Sequence, residues 1–322
     1  MKMQHADIPL ESLAPIIEKI RKNIGLVFYS KQEVVDLVLT CLLSGGHLLI
    51  EDVPGVGKTT LAHALAISIG GTYRRIQFTS DMLPSDIIGV SIYDPTSQRF
   101  VFKPGPIFAN IVLADEINRT SPKTQSALLE AMGEEQVSVE GETHPLPDPF
   151  LVIATQNSME FYGTYPLPES ELDRFFMCIE IGYPDSSMEM GIIAREMRED
   201  PVRHLKATVS PGETLLLRME AERVRVDPSL SEYILSLAHR TRGSELLALG
   251  VSPRGAMYLH RAIRSYALIQ GRSYVLPDDV KKLVLPIWSH RVVPSGAYTA
   301  PGSRKLARQV LKEIVEEFPV PL

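Results

Sequence analysis

A glycine followed by a lysine and a threonine is a combination of residue types that binds phosphate. Gly57, Lys58 and Thr59 follow one another between a short apolar run (residues 47–50) and a longer apolar stretch (residues 61–66) that is typical of a helix. In such a strand, loop and helix unit, backbone N–H groups surround the phosphates, the lysine reaches their oxygens and the threonine hydroxyl binds Mg²⁺. The residues predicted to contact a nucleotide are Val53, Pro54, Gly55, Val56, Gly57, Lys58, Thr59 and Thr60.

The loop departs from the usual pattern G-x-x-x-x-G-K-[ST] at its first position, where Asp52 replaces glycine. Taken alone, the incomplete pattern leaves a second interpretation open, namely a strand-to-helix turn whose lysine has no role in binding. Residues elsewhere in the chain must distinguish the two.

Two acids, Asp115 and Glu116, follow an apolar run at residues 111–114. Open α/β sheets bind their ligands at the carboxyl ends of their strands. We expect Asp115 and Thr59 to bind Mg²⁺, because this cation prefers oxygen ligands and keeps several waters. We expect Glu116 to orient and deprotonate an attacking water, and strand alternation predicts that the two acids point in different directions. A solvated acid pair at a strand end is the alternative.

Two later residues are candidates to complete this site. Asn157 ends an apolar strand predicted over residues 150–155, and it is either a ligand of the attacking water or γ-phosphate or a simple turn residue. Arg254 follows Ser252 and Pro253, which are typical of a helix start. A cation in the first turn repels the positive end of the helix dipole, which costs ~0.3–1 kcal/mol. Either a bound phosphate relieves that cost or the side chain is exposed to solvent. We expect both residues to lie around the phosphate loop.

Arg174 lies near the end of a short helix predicted over residues 167–176. A cation there suits the helix dipole, so a structural role is one interpretation. The other is an arginine finger, which stabilises charge on the phosphoryl group bound by a neighbouring subunit. Asn118 and Arg119 are weaker candidates to face a neighbour's nucleotide.

Apolar strands alternate with helical stretches in the first part of the chain, which predicts a parallel sheet flanked by helices. Helices are predicted over residues 11–23 and 31–44, and hairpins over residues 90–103 and 136–147. A charged, proline-bearing stretch at residues 198–211 marks a boundary, and only helices are predicted beyond it. The fold class is therefore an α/β P-loop core (residues 1–205) followed by a smaller all-α domain (residues 206–322).

The composition excludes some classes of protein. The formal net charge of -6 over 322 residues argues against a protein whose main activity is to grip a phosphate backbone, but it leaves a local basic groove open. Cys41 and Cys178 stand in apolar surroundings without metal-ligand spacing, which favours buried thiols in a reducing compartment. No signal peptide and no apolar run of ~20 residues is present, so we expect a cytoplasmic protein without a membrane span.

Five motifs in order resemble those of the AAA+ superfamily, and specifically the MoxR family. The motifs are residues 51–59 (Walker A), 113–119 (Walker B), 154–157 (sensor 1), 172–175 (arginine finger) and 252–254 (sensor 2). Asp52 in place of the first glycine is similar to many MoxR sequences. One departure is Lys31-Gln32, where relatives often have Gly-Gln beside the adenine. The resemblance extends from about residue 17 to residue 292.

The resemblance implies an ATPase that uses ATP and Mg²⁺ in a hexameric ring, with nucleotide between protomers and Arg174 acting in trans. It also implies a helical lid, hairpins that face the pore or a partner, and a chaperone-like role on a protein that carries a von Willebrand factor A domain. The alternatives are a nucleic-acid-acting AAA+ motor, a metal-chelatase-like subunit and a nucleotide switch that does not hydrolyse. The acidic balance argues against the motor, and the intact pair of Asp115 and Glu116 argues against the switch.

Overall fold

The protein is described by a computed structural model that covers residues 10–156, 164–194, 201–296 and 303–319. Its strands are β1 (Leu48–Glu51), β2 (Tyr73–Gln77), β3 (Gly89–Asp94), β4 (Arg99–Pro104), β5 (Ile111–Asp115), β6 (Gln136–Val139), β7 (Glu142–Pro145), β8 (Leu151–Gln156), β9 (Met177–Ile179), β10 (Leu247–Leu249) and β11 (Val293–Pro294). Its helices are α1 (Leu10–Gly25), α2 (Gln32–Leu43), α3 (Lys58–Ser68), α4 (Pro84–Ile88), α5 (Pro122–Glu134), α6 (Glu169–Leu172), α7 (Ser186–Ala194), α8 (Pro211–Glu222), α9 (Pro228–Arg242), α10 (Pro253–Ile269), α11 (Pro277–Trp288) and α12 (Ser303–Glu317).

The predicted parallel sheet is confirmed. Five strands pair in the order β2-β5-β8-β1-β9, and every pairing within this sheet is parallel. The chain goes from β1 across to the far edge at β2 and then returns, so β5 and β8 fill the space between them. The carboxyl ends of β1, β8 and β5 consequently lie side by side, which places the phosphate loop next to the Asp115 strand end.

Helices cover both faces of the sheet, which explains why its central strands are continuous apolar runs. One face contributes Leu48, Leu113 and Ile153 to a buried cluster with α1, α2, α3 and the C-terminal helices. The other face contributes Val112 and Val152 to a second cluster that includes apolar residues of α5. The sheet is therefore fixed from both sides, and its strand ends are rigid supports for a site.

Two antiparallel hairpins project from the core, as predicted. β3 pairs with β4, and β6 pairs with β7. The first hairpin exposes large apolar side chains, with Phe100 67% and Tyr93 51% exposed. Their exposure on an antiparallel two-stranded ribbon leaves an apolar surface that the rest of the described chain does not cover.

The C-terminal part is a helical lid, as predicted, built from α8 to α12. It adds a feature that the sequence did not predict: β10 and β11 form a small antiparallel ribbon. These strands are two and three residues long, so they carry no readable alternation. The apolar cluster on the lid side runs without interruption into α1 and α2, and Ser44 of the core shares a hydrogen bond of 2.9 Å with Ser265 of α10. The boundary at residue 205 stays a prediction.

Both cysteines are free and buried, and burial raises the pKa of each thiol. No helix in the described ranges has both the length and the apolar character that crossing a bilayer requires.

His47, immediately before β1, connects three elements that support the site. Its Nδ1 accepts a hydrogen bond from the Val152 N–H at 3.1 Å, and its Nε2 lies 3.0 Å from the carbonyl oxygen of Met132. A neutral ring with its hydrogen on Nε2 satisfies both partners, whereas a protonated ring loses the acceptor. Burial lowers the pKa of His47 to about 4.

We expect the free energy of unfolding to fall by about 3 kcal/mol through His47 as the pH drops from about 6.5 to about 4. The sign follows because the pKa of His47 in the folded state lies below its value in the unfolded chain. Protonation therefore favours unfolding, and the stabilisation is complete only above the unfolded pKa. Urea unfolding at several pH values measures this slope. In His47→Gln the slope should be shallower but not zero, since burial also lowers the pKa of His290; an unchanged slope would contradict the assignment.

Candidate functional site

The loop between β1 and α3 has the backbone geometry of an anion cradle. Gly55 and Gly57 have φ values of +87° and +90°, which residues with a Cβ rarely adopt. A Cβ on Gly57 would also meet the Phe28 ring at 3.2 Å. No side chain caps the N-terminus of α3 at Lys58. The N–H groups of its first turn can therefore bind an anion, and the helix dipole favours one there.

Lys58 is half-buried beside this loop and donates from Nζ to the carbonyl oxygen of Asp52 at 2.7 Å. Burial lowers its pKa, and the nearby charges of Asp52, Asp115 and Glu116 oppose that shift. A partly desolvated ammonium group among open N–H donors is a strong partner for phosphate oxygens. The residues present therefore fit the phosphate part of a nucleotide.

Asp52, the departure from the usual loop pattern, has a structural explanation. It is 8% exposed, and its Oδ2 accepts hydrogen bonds from the backbone N–H groups of Ile181 and Gly182, both at 2.7 Å. Its Oδ1 accepts from Val53 N–H at 2.8 Å. The carboxylate thus ties the phosphate loop to the chain that leaves β9. No local pattern indicates this contact, because the partner residues are about 130 positions away along the chain.

The loop faces a cavity of 420 Å³ that the carboxylates share. It is lined by Pro54, Gly55, Gly57, Lys58, Thr59, Arg75, Gln77, Asp115, Glu116 and Thr155. Val53, Val56 and Thr60 belong to the same loop and the first helical turn. Thr59 and Asp115, the predicted Mg²⁺ ligands, are therefore brought to one cavity. A hydroxyl and a carboxylate with space for waters is a donor set that fits Mg²⁺.

The two acids do not point in different directions as strand alternation predicted. Glu116 follows the end of β5 and has φ 57° and ψ 50°, a left-handed conformation that is rare for a residue with a side chain. Alternation ends where the strand ends, so the Asp115 and Glu116 carboxylates line the same cavity. The Glu116 N–H donates to Thr155 Oγ1 at 2.9 Å, which fixes this turn to β8.

Each carboxylate is held by side chains that sequence reasoning missed. Asp115 accepts a hydrogen bond from the Thr155 hydroxyl at 2.6 Å and pairs with Arg75 at 2.6 Å. Glu116 accepts from the Gln77 amide at 2.9 Å. Arg75 and Gln77 are polar residues of β2 that no motif marks, whereas Thr155 belongs to the sensor 1 motif but was not itself predicted as a site residue.

Of the two weaker candidates beside the acids, Arg119 forms an ion pair within the chain, whereas the buried Asn118 Oδ1 accepts no hydrogen bond from the described residues. Arg119 pairs with Glu116 at 3.0 Å. Asn118 is buried, with only 8% of its surface exposed. Asn157 lies outside the described residues.

A second cavity of 420 Å³ contains the other two predicted residues, Arg174 and Arg254. A third arginine, Arg261, also lines it, stacked 5.1 Å from the Phe176 ring. The Arg174 guanidinium donates to the carbonyl oxygen of Leu129 on α5 at 2.9 Å. Glu134 and Glu135 line the same cavity, so three cations and two carboxylates share it.

The expectation that Arg254 lies around the phosphate loop of its own chain is wrong. Arg254 lines the arginine cavity, and no described residue lines both this cavity and the cavity of the phosphate loop. The reason is the position of α10, which packs against α2 and α8 and so brings its first turn next to the segment that carries Arg174. Arg254 lies 3.6 Å from Asp173 in an ion pair.

The chain also matches known families and proteins over most of its length. The family described as "ATPase family associated with various cellular activities (AAA)" matches residues 47–177, and the AAA lid domain matches residues 239–314. The uncharacterized protein YeaC of Bacillus subtilis is 46% identical, with 94% of this chain and 96% of that protein covered. Chaperone MoxR1 of Mycobacterium tuberculosis is 42% identical, with 86% and 75% covered. A crystal structure of an ATPase candidate from Cytophaga hutchinsonii is 36% identical and covers 97% of both chains, with a TM-score of 0.88.

Proposed function

Because the chain belongs to the MoxR family of AAA+ ATPases, we propose that it hydrolyses ATP with Mg²⁺ at sites formed between two copies of itself. One copy supplies the phosphate loop and the two acids. The next copy supplies Arg174 and Arg254. The observation that carries this proposal is the separation of the two half-sites, since the loop's cavity and the arginine cavity share no lining residue among the described parts of the chain.

On the loop side, Lys58 and the N–H groups of the first turn of α3 bind the phosphates, and Thr59 and Asp115 hold the cation. The Mg²⁺ ion, when bound, neutralises charge on the phosphate oxygens. Glu116 orients a water and takes its proton, because its carboxylate faces the same cavity as Lys58. Asn157 is proposed to hold the same water or the γ-phosphate.

On the arginine side, Arg174 and Arg254 neutralise negative charge that develops on the transferring phosphoryl group of the adjacent copy. A head-to-tail contact of this kind closes into a ring when every copy uses both surfaces. A hexamer is our proposal for that ring, as the family implies.

We expect hydrolysis to depend on assembly. The specific activity per chain should rise with protein concentration and then reach a plateau as rings form. Chelation of Mg²⁺ should abolish it at every concentration. The measurement is phosphate release across a concentration series, with light scattering on the same samples. A specific activity that stays constant while the protein is monomeric would contradict a site shared between copies.

We propose that the ring remodels or matures a partner protein. The similarity to a protein named as a chaperone supports this. So does the apolar hairpin β3–β4, whose exposed Phe100 and Tyr93 suit a protein surface. A partner with a von Willebrand factor A domain and a cytoplasmic location are family-based proposals. Stimulation of phosphate release by DNA at physiological salt would instead favour the nucleic-acid motor.

A further inference from the structure

The side chain of Arg291, which follows α11, is 1% exposed and lies against the segment that carries Arg174. Its Nε donates to Asp173 Oδ1 at 2.9 Å. Its two terminal nitrogens donate to three backbone carbonyl oxygens of the same segment, those of Asp173, Phe175 and Phe176. The contacts therefore hold the backbone on both sides of Arg174 without involving its side chain, whose guanidinium donates to the carbonyl oxygen of Leu129.

We propose that Arg291 is a positioning residue for the arginine finger, through which the lid sets how Arg174 engages the nucleotide of the adjacent subunit. The inference rests on the proposed function, because it requires Arg174 to act in trans. Arg291 itself touches no nucleotide in this arrangement. It acts by fixing the backbone from which Arg174 extends.

The chemistry of the contact suits a clamp. A guanidinium has five N–H donors in a rigid planar fork, so it can hold several acceptors in one fixed geometry. Its burial lowers the pKa of Arg291 to about 10, so the group is still a cation at neutral pH. The Tyr258 ring lies 4.9 Å from its central carbon, which adds a cation–π contact.

Asp173 connects this clamp to the second arginine of the cavity. Its Oδ1 accepts from Arg291, and its Oδ2 lies 3.6 Å from Arg254. A displacement of Arg291 would therefore disturb both cationic groups that we assign to the neighbour's nucleotide. A misplacement of about 1 Å in such a site costs about 100-fold in rate.

A matched control exists at the other end of α11. Arg272 forms a forked ion pair with Asp279, with distances of 2.8 and 2.7 Å, and its side chain is 19% exposed. Within the part of the chain that the structure describes, this pair supports the lid and makes no hydrogen bond or ion pair with the segment that carries Arg174. Loss of Arg272 therefore reports the effect of weakening the lid alone.

The test uses mixed rings with two kinds of subunit. The reporter is Arg174→Ala, which has a complete loop and acids but no finger. The donor is Glu116→Gln, which has a finger but no base. Equal mixing gives phosphate release only at reporter sites next to a donor. Arg291→Met is then added either to the donor or to the reporter.

We expect Arg291→Met in the donor to lower the activity of the mixture by about 10- to 100-fold. The same substitution in the reporter should change it less than about twofold, because the reporter has no finger to position. Arg272→Met in the donor should leave the activity near that of the unmodified mixture. A loss of equal size in donor and reporter, or no loss in the donor, would overturn the proposal.

Two further observations keep the result interpretable. If the unmodified mixture shows no activity, the shared site itself has failed, and that outcome is distinct from failure of the clamp. If Arg291→Met does not fold by circular dichroism, Arg291→Lys keeps a buried cation near Asp173 but cannot bridge the three carbonyl oxygens. Arg291→Lys should lower the activity of the mixture more in the donor than in the reporter, with a smaller loss than Arg291→Met. Equal losses in donor and reporter would likewise reject the clamp.

Discussion

We expect Glu116→Gln to bind ATP and to lose turnover by about 100-fold or more, because the substitution removes the proposed general base. Glutamine keeps the size of the side chain and an oxygen that accepts from Gln77, so the cavity should keep its shape. Binding should persist because Lys58 and the first turn of α3 are unchanged. Single-turnover phosphate release and binding of a fluorescent ATP analogue measure the two properties separately.

The control for this variant is Glu142→Gln, which changes an exposed carboxylate on β7 in the same way. It should hydrolyse ATP at the rate of the unmodified protein. Unchanged turnover in Glu116→Gln would remove Glu116 from the role of base. Loss of ATP binding would show instead that the carboxylate supports the shape of the cavity.

Arg174→Ala should lose turnover by about 10³-fold or more, since arginine fingers contribute 10³ to 10⁵ in rate. The affinity of each chain for ATP should change little, because Arg174 does not line the cavity of its own phosphate loop among the described residues. The variant should therefore show a low kcat with nearly normal nucleotide binding. Steady-state kinetics and equilibrium titration of the same sample test this division.

Arg240→Ala is a suitable control, since Arg240 is an exposed arginine of α9 away from either cavity. Turnover in that variant should match the unmodified protein. If Arg174→Ala weakens ATP binding as strongly as it lowers kcat, the residue acts on its own nucleotide or on the fold. Either result would contradict a role across subunits.

Short-range patterns in the sequence identified residues that the structure brings to one cavity, and their roles in binding stay a prediction. Lys58 and Thr59 lie within one loop, and Asp115 ends a strand that must finish at the same sheet edge. The family that these motifs resembled is confirmed, as are the parallel sheet and the helical lid. In each case the information lies within about ten consecutive residues or in the order of strands and helices.

Contacts between distant elements could not be predicted in the same way. The position of Arg254 depends on how α10 docks on α2, which no local pattern encodes. Thr155 lies within the sensor 1 motif and Arg75 within no motif, and the contacts of both with Asp115 appear only when β8 and β2 are placed on either side of β5. Glu116 turned toward the cavity because the strand ends one residue earlier.

The two cavities also give a physical reason for a ring. In the ring that we propose, the arginines of one copy are complementary in charge to the phosphates of a nucleotide bound by the loop of the next copy. Assembly places the cations of one copy against the phosphates of the next. On this proposal, we expect hydrolysis to respond to motion of the lid, because Arg291 and Arg254 both belong to it.

The most direct test of a site shared between copies is a mixture of Arg174→Ala and Glu116→Gln, each of which is inactive alone. With random mixing at equal amounts, about a quarter of all sites combine an intact base with a neighbour's intact finger. The mixture should therefore recover about a quarter of the activity of the unmodified protein. No recovery at any mixing ratio, in samples shown to contain both variants in one ring, would contradict the account.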